Sequence, residues 1–149
     1  MVKGITTPII KSRKEWDSTV VDLKELKVID KNSEYSLLYS KYSPGLMMAY
    51  RDYITVRKIV REKKRIYIAS KSVKPTDKQF QIEDKDTVRG EIYFSCHCIE
   101  ILDTSKCKDT FISHMNLNGW IPTGAYNKLS SDQVLVPVKV SNLIKKHKQ

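Results

Sequence analysis

The sequence predicts an α+β fold, six strands in series followed by a helical tail. Three observations carry this. Polar and apolar residues alternate with a period of two in six segments between residues 20 and 117. The connections between most of these segments are short and polar, as in an antiparallel meander. From Pro122 onward the apolar residues Val134, Leu135, Val138, Leu143 and Ile144 recur at helical intervals. A chain of 149 residues has room for one domain with one core, so a single unit over residues 1–149 is expected.

In chain order, Thr7 and Pro8 suit an N-cap and a first helical position, which predicts a short helix over Pro8–Asp17 carrying Ile9, Ile10 and Trp16 toward a core. Strands are expected at Val20–Ile29, Tyr35–Tyr42, Arg51–Val60, Ile66–Val73, Val88–Leu102 and Thr110–Leu117. Lys31–Glu34, Glu62–Lys64 and Asp103–Lys106 read as hairpin turns, and Ser43–Tyr50 and Lys74–Asp86 as longer loops. Gly119 and Pro122, on either side of Trp120, suit the turn from the last strand into a helix, which Pro137 should break or bend.

The strand RDYITVR at residues 51–57 puts Arg51 and Arg57 on the same face as Tyr53 and Thr55. A guanidinium on an inner face needs a carboxylate, hydroxyl, phosphate or ordered water as partner. A salt bridge within the protein and a polar group of a ligand both meet that need.

The net charge of +10, from 27 basic and 17 acidic residues, would attract the phosphates of nucleic acid or of an anionic membrane. Basic residues cluster at Lys58–Arg65 and at Lys145, Lys146 and Lys148; a solvated hairpin tip and lysines complementing a helix dipole account for them as well as a docking patch does. No apolar run approaches the roughly 20 residues that cross a bilayer, and Met1–Ile10 lacks the core of a secretory signal, so an intracellular protein is expected. Three cysteines argue against a secreted disulfide framework. On a strand, Cys96 and Cys98 point away from His97, so the three cannot converge on a metal ion. There is no GxSxG, HExxH or glycine-rich phosphate loop, so a non-enzymatic protein without a cofactor is expected. An RNA-binding module would use the same charge with Tyr35, Tyr39, Tyr42 and Tyr93 as stacking platforms, but no RNP-like string accompanies them.

RKEWD at residues 13–17, RDYITVR, the basic hairpin after it, IYIASKSV, VRGEIYFS and NLNGWIP with its following helix resemble, in order and spacing, the START domain, the lipid-transfer module related to steroidogenic acute regulatory protein. The resemblance implies a helix-grip fold: a curved antiparallel sheet packed on a long C-terminal helix, with a hydrophobic tunnel between them for one lipid. By motif position Arg57 lines that tunnel and meets a polar group of the lipid. The sterol-binding branch places an acidic residue opposite this arginine on the preceding strand, whereas Leu37, Leu38 and Tyr39 stand there in this sequence, which favours phospholipid over sterol. Tyr53, Thr55, Ile68 and Ile92 match lining positions, His97 reads as a polar wall residue, and Ala125 and Leu129 lie one turn apart as part of a lid. For each apolar residue plain core packing is the competing reading. Leu46, Met47 and Met48 fall in the loop that corresponds to the tunnel mouth, where methionines adapt to irregular apolar surfaces.

The family begins with a helix and three strands ahead of the part that RKEWD resembles, so the sequence reads as an N-terminally truncated START-like domain. Without those strands the side of the Thr110–Leu117 strand is exposed, and an open edge invites a homodimer or exchanged assembly. The expected function is non-enzymatic lipid binding and transfer between membranes by a cytoplasmic protein that touches anionic bilayers transiently. A lipid sensor or presenting module is the alternative.

Overall fold

The computed structural model describes residues 13–32, 34–45, 48–104 and 106–146. Ile9, Ile10, Leu46, Met47 and Lys148 lie outside them. A helix, α1, is described over residues 13–16. Seven strands follow: β1 (Val20–Asp30), β2 (Tyr35–Tyr42), β3 (Tyr50–Arg61), β4 (Arg65–Ser72), β5 (Thr87–Arg89), β6 (Glu91–Ile101) and β7 (Cys107–Asn116). The chain ends in α2 (Thr123–Val134) and α3 (Val136–Lys146).

The strands form one open sheet in the order β1-β2-β3-β4-β6-β7, all antiparallel, with the short β5 pairing parallel to the start of β3. Two expectations need correction. Val88–Leu102 is not one strand, because Gly90 divides it into β5 and β6. A Cβ at Gly90 would fall 2.3 Å from the Tyr53 ring, so this close approach of backbone to ring requires glycine. The C-terminal segment is likewise not one long helix. It breaks at Leu135, and Pro137, which cannot donate to a preceding turn, sits in the first turn of α3 where that donor is not needed.

RKEWD fixes the junction between α1 and β1. Arg13 pairs with Asp17 at 2.8 Å and lies over the Trp16 ring at 4.1 Å. The Asp17 carboxylate in turn accepts the Thr19 amide at 3.2 Å and the Thr19 hydroxyl at 2.5 Å, starting β1.

The main apolar cluster comprises Leu37, Tyr39 and Ile54, with Leu26, Val56, Val73, Phe80 and Ile82 packed against it. The last three come from the end of β4 and the loop that follows, in which Lys78–Phe80 forms a single 3-10 turn capped by Asp77. This loop is therefore the cover of one sheet face. Full burial of an aliphatic side chain such as Leu37 or Ile54 contributes roughly 1.5–3 kcal/mol.

Candidate functional site

Antiparallel register decides which residues share a face, because directly opposed side chains point the same way. Leu37 pairs with Val56 and Tyr39 with Ile54, which assigns these four to the face beneath the 3-10 loop. Ser36 pairs with Arg57, Leu38 with Thr55, Ser40 with Tyr53 and Tyr42 with Arg51, which assigns these eight to the other face. That second face is also buried around β3, at Tyr53, Thr55, Arg57 and Ile59. It is the face reached by the turn from β7 to α2, because Arg51, on this face, donates to the carbonyls of Leu117 and Asn118 in that turn.

The Arg51 end of β3 is closed. Its Nε donates to Leu117 O at 2.8 Å, Nη1 to Ala49 O at 2.5 Å and Nη2 to Asn118 O at 3.1 Å. Asn118 and Gly119 have φ of 50° and 66°, left-handed values suited to asparagine and glycine, and this kink aims the carbonyls at the guanidinium. One residue on, Asp52 is wholly buried and takes both arms of Arg89, at 2.8 and 2.9 Å. Arg89 also donates to Ile82 O, and its own carbonyl accepts from Asn118 Nδ2. The network ties β3, β5, the 3-10 loop and the α2 junction together.

The Arg57 end differs. Arg57 is buried, yet its Nε and Nη2 have no hydrogen-bond partner among the described residues. Burial pulls the guanidinium below its ordinary pKa range, opposed by the charges of Glu25 and Glu34. Its neighbours across the sheet are Ser36 on β2 and Ser70 on β4, so the register corrects the expected opposite residues from Leu37–Tyr39 to a serine; no acid stands there.

Farther along the same face, His97 Nδ1 donates to Asp109 Oδ2 at 2.9 Å and its ring stacks on Phe111 with centroids 4.3 Å apart. Asp109 Oδ1 and Ser113 Oγ are buried atoms with no partner among the described residues.

The register gathers the strand residues singled out from sequence. Tyr53, Thr55 and Arg57 share a face; Ile68 joins them opposite Ile59, and His97 opposite Ile68. Ile92 has the wrong parity relative to His97, yet it pairs with Met115, which is in phase with Ser113. A register shift between Ile92 and Phe94 restores it to the face. Of the helical pair, Ala125 is buried and Leu129 half-buried, one turn apart on α2. Met48 is half-buried and donates to Gly45 O at 3.2 Å. The tyrosines do not form a stacking platform: Tyr39 is 3% exposed, and Tyr35 and Tyr42 lie on opposite faces of β2.

An open antiparallel sheet, with incompletely partnered charge and hydroxyl groups buried on the face from which the chain turns into two terminal helices, defines an α+β module with one short helix ahead of its strands. The chain belongs to the START domain family, whose model matches residues 8–139. It is 31% identical over 123 residues to the steroidogenic acute regulatory protein of Xenopus laevis, a match covering 80% of this chain and 42% of that protein. The chain thus spans less than half the length of the curated relatives it matches. Among solved structures it resembles human StAR-related lipid transfer protein 5, with a TM-score of 0.79 at 16% identity over 92% of this chain and 65% of that one. It also resembles human STARD10, with a TM-score of 0.74 at 23% identity over 91% and 53%. Both likenesses concern the fold.

Proposed function

We propose that the chain is a single lipid-binding unit over residues 1–149 that holds one lipid between the sheet and the terminal helices and carries it between membranes without enzymatic chemistry. One observation carries this reading: a buried arginine with two unpartnered nitrogens on the face from which the chain turns into the helices. A buried guanidinium without hydrogen-bond acceptors is costly, so a partner is needed, and a lipid phosphate supplies charge and acceptors together. Tyr53, Thr55, Leu38, Ile68 and Ile92 would line the space, with Ala125 and Leu129 closing it. A serine opposite Arg57 leaves the guanidinium to the ligand, which supports phospholipid over sterol. Presenting a lipid to another protein would use the same site.

Native mass spectrometry of purified protein tests the reading. A co-purifying phospholipid is expected in the native chain, and its loss in Arg57→Leu. Empty protein from a lipid-replete host counts against the proposal.

Contact with an anionic bilayer is supported by the +10 charge and by Trp120, 82% exposed beside the helix junction, an aromatic suited to a membrane interface. A cytoplasmic, peripheral location follows from this reading; no helix among the described residues is long and apolar enough to cross a membrane. A homodimer is supported by the contrast between the sheet's two edges. β1 is broken by three register shifts and carries Asp22, Lys24, Glu25, Lys27 and Asp30, whereas β7 carries no Lys, Arg, Asp or Glu from Thr110 to Asn116 and leaves Ile112 60% exposed. Sedimentation across micromolar concentrations should show self-association, and a monomer throughout rejects it.

A further inference from the structure

β7 closes one end of the strand order, so its outer side presents backbone amides and carbonyls that no other described strand meets. It also carries two buried atoms without a partner among the described residues, Asp109 Oδ1 and Ser113 Oγ. Both side chains lie on the helix-side face, two residues to either side of Phe111. They stand roughly 13 Å apart along the strand, so neither can serve the other within one chain.

The spacing is symmetric about Phe111, and a two-fold axis turns it into a match. Where the β7 strands of two copies pair antiparallel about an axis through Phe111 and perpendicular to the sheet, Asp109 of each copy faces Ser113 of the other. Directly opposed side chains have Cβ atoms about 5 Å apart, so rotation of the serine about its Cα–Cβ bond lets the hydroxyl donate to Oδ1. Both residues sit at the margin of the sheet, with 21% of the Asp109 side chain exposed. At the axis the two Phe111 rings meet and prolong the stack that each already forms with its own His97. On the opposite face Ile112, 60% exposed in the single chain, meets Thr110 of the second copy.

Other registers serve these groups less well. An axis perpendicular to the sheet keeps each face on its own side, so the register changes only by moving the axis from residue to residue. At Asp109 it would oppose two carboxylates, and at Thr110 it would set Asp109 against Phe111 and Lys108 against Ile112. At Ile112 it would set Asp109 against Met115, and at Ser113 against Leu117, beyond the end of the strand. Of these positions only Phe111 gives the carboxylate a donor.

We infer that β7 is a self-complementary edge, through which two copies join antiparallel about Phe111 and continue one sheet across both molecules. The inference rests on the homodimer reading above and specifies its register. Both helix-side faces then lie on the same side of the joined sheet. β4 and β6 stand between each Arg57 and the interface, so the two faces proposed for lipid remain separate.

Disulfide trapping in the full chain reads the register, with Cys96, Cys98 and Cys107 replaced by serine. Thr110→Cys and Ile112→Cys, both at exposed positions, are made separately and mixed before oxidation. Residue 110 of one copy opposes residue 112 of the other at a Cα separation of about 5 Å, whereas each lies about 8 Å from its own counterpart, past the roughly 7 Å that a disulfide spans. Trapped dimers should therefore be mixed, as their mass reveals. In the chain with its native cysteines, Ser113→Ala should raise the dissociation constant measured by sedimentation at least tenfold, since each copy loses a hydrogen bond to a charged acceptor. Ser113→Thr, which keeps the hydroxyl, should restore it, and circular dichroism identifies any variant that fails to fold. Failure to trap the mixed pair, or trapping of either variant with itself as readily, overturns the register while self-association of the native chain keeps the homodimer standing. An unchanged dissociation constant in Ser113→Ala overturns it as well. A native chain that stays monomeric across micromolar concentrations rejects the homodimer itself and leaves the edge to an unlike partner.

Discussion

Two arginines six residues apart on β3 share a strand, a face and burial, and differ in what surrounds them. Arg51 is met by three backbone carbonyls. Arg57 faces a serine on either side and keeps two nitrogens unpartnered. The cost of burying a guanidinium is met within the chain at one end of the strand and left to another molecule at the other. A residue's type and face therefore say that a partner is needed, while the neighbouring backbone decides whether the partner is the protein itself.

The comparison can be broken experimentally. The largest loss of stability is expected for Asp52→Ala, which strips Arg89 of a fully buried bidentate partner: about 3 kcal/mol, toward the lower end for a broken buried pair because Arg89 is partly solvated. Urea denaturation monitored by circular dichroism measures this. Next comes Arg51→Leu, which leaves the carbonyls of Ala49, Leu117 and Asn118 without the guanidinium; about 2 kcal/mol should be lost, and amide exchange should rise at the β7–α2 turn. Arg57→Leu, by contrast, should leave lipid-free protein at least as stable as the native chain, because it removes a buried guanidinium whose Nε and Nη2 lack acceptors. A loss as large as that of Arg51→Leu would show that Arg57 is structural and dissolve the distinction. The smallest effect at neutral pH concerns Tyr39, on the opposite face, whose phenol is pushed up from 10.0 to about 12, chiefly by burial and then by the charge of Asp52. Its folded pKa is raised, so the stability it contributes is complete below pH 10 and is lost as pH rises toward 12. Tyr39→Phe should flatten the fall in stability across that window and leave its slope at neutral pH unchanged.

Much of the fold was legible because polar turn segments bound β2, β3 and β4, and strand parity sets their faces; the expected Tyr35–Tyr42 matches the observed strand at both ends. Arg57, Tyr53 and Thr55 followed from that parity. Asp109 did not, because Lys108 and Asp109 beside Cys107 read as the polar end of a turn, and the last strand was expected to begin at Thr110. Cross-strand pairing with β6 draws these residues into β7 despite their polarity. The split at Gly90 was hidden for a different reason. It follows from the Tyr53 ring, distant in sequence, pressing on that backbone.

The irregularity between Ile92 and Phe94 has a bearing on how such a surface tolerates change. A strand is a counter that toggles at every residue, and a bulge is a skipped count. Upstream of the skip, the chain meets the demands of the Gly90 crossing; downstream, Ser95, His97 and Ile99 keep time with β4 and β7. The two segments are thereby uncoupled in phase, so a length change before Ile92 can be absorbed at the bulge without inverting the polar wall beyond it.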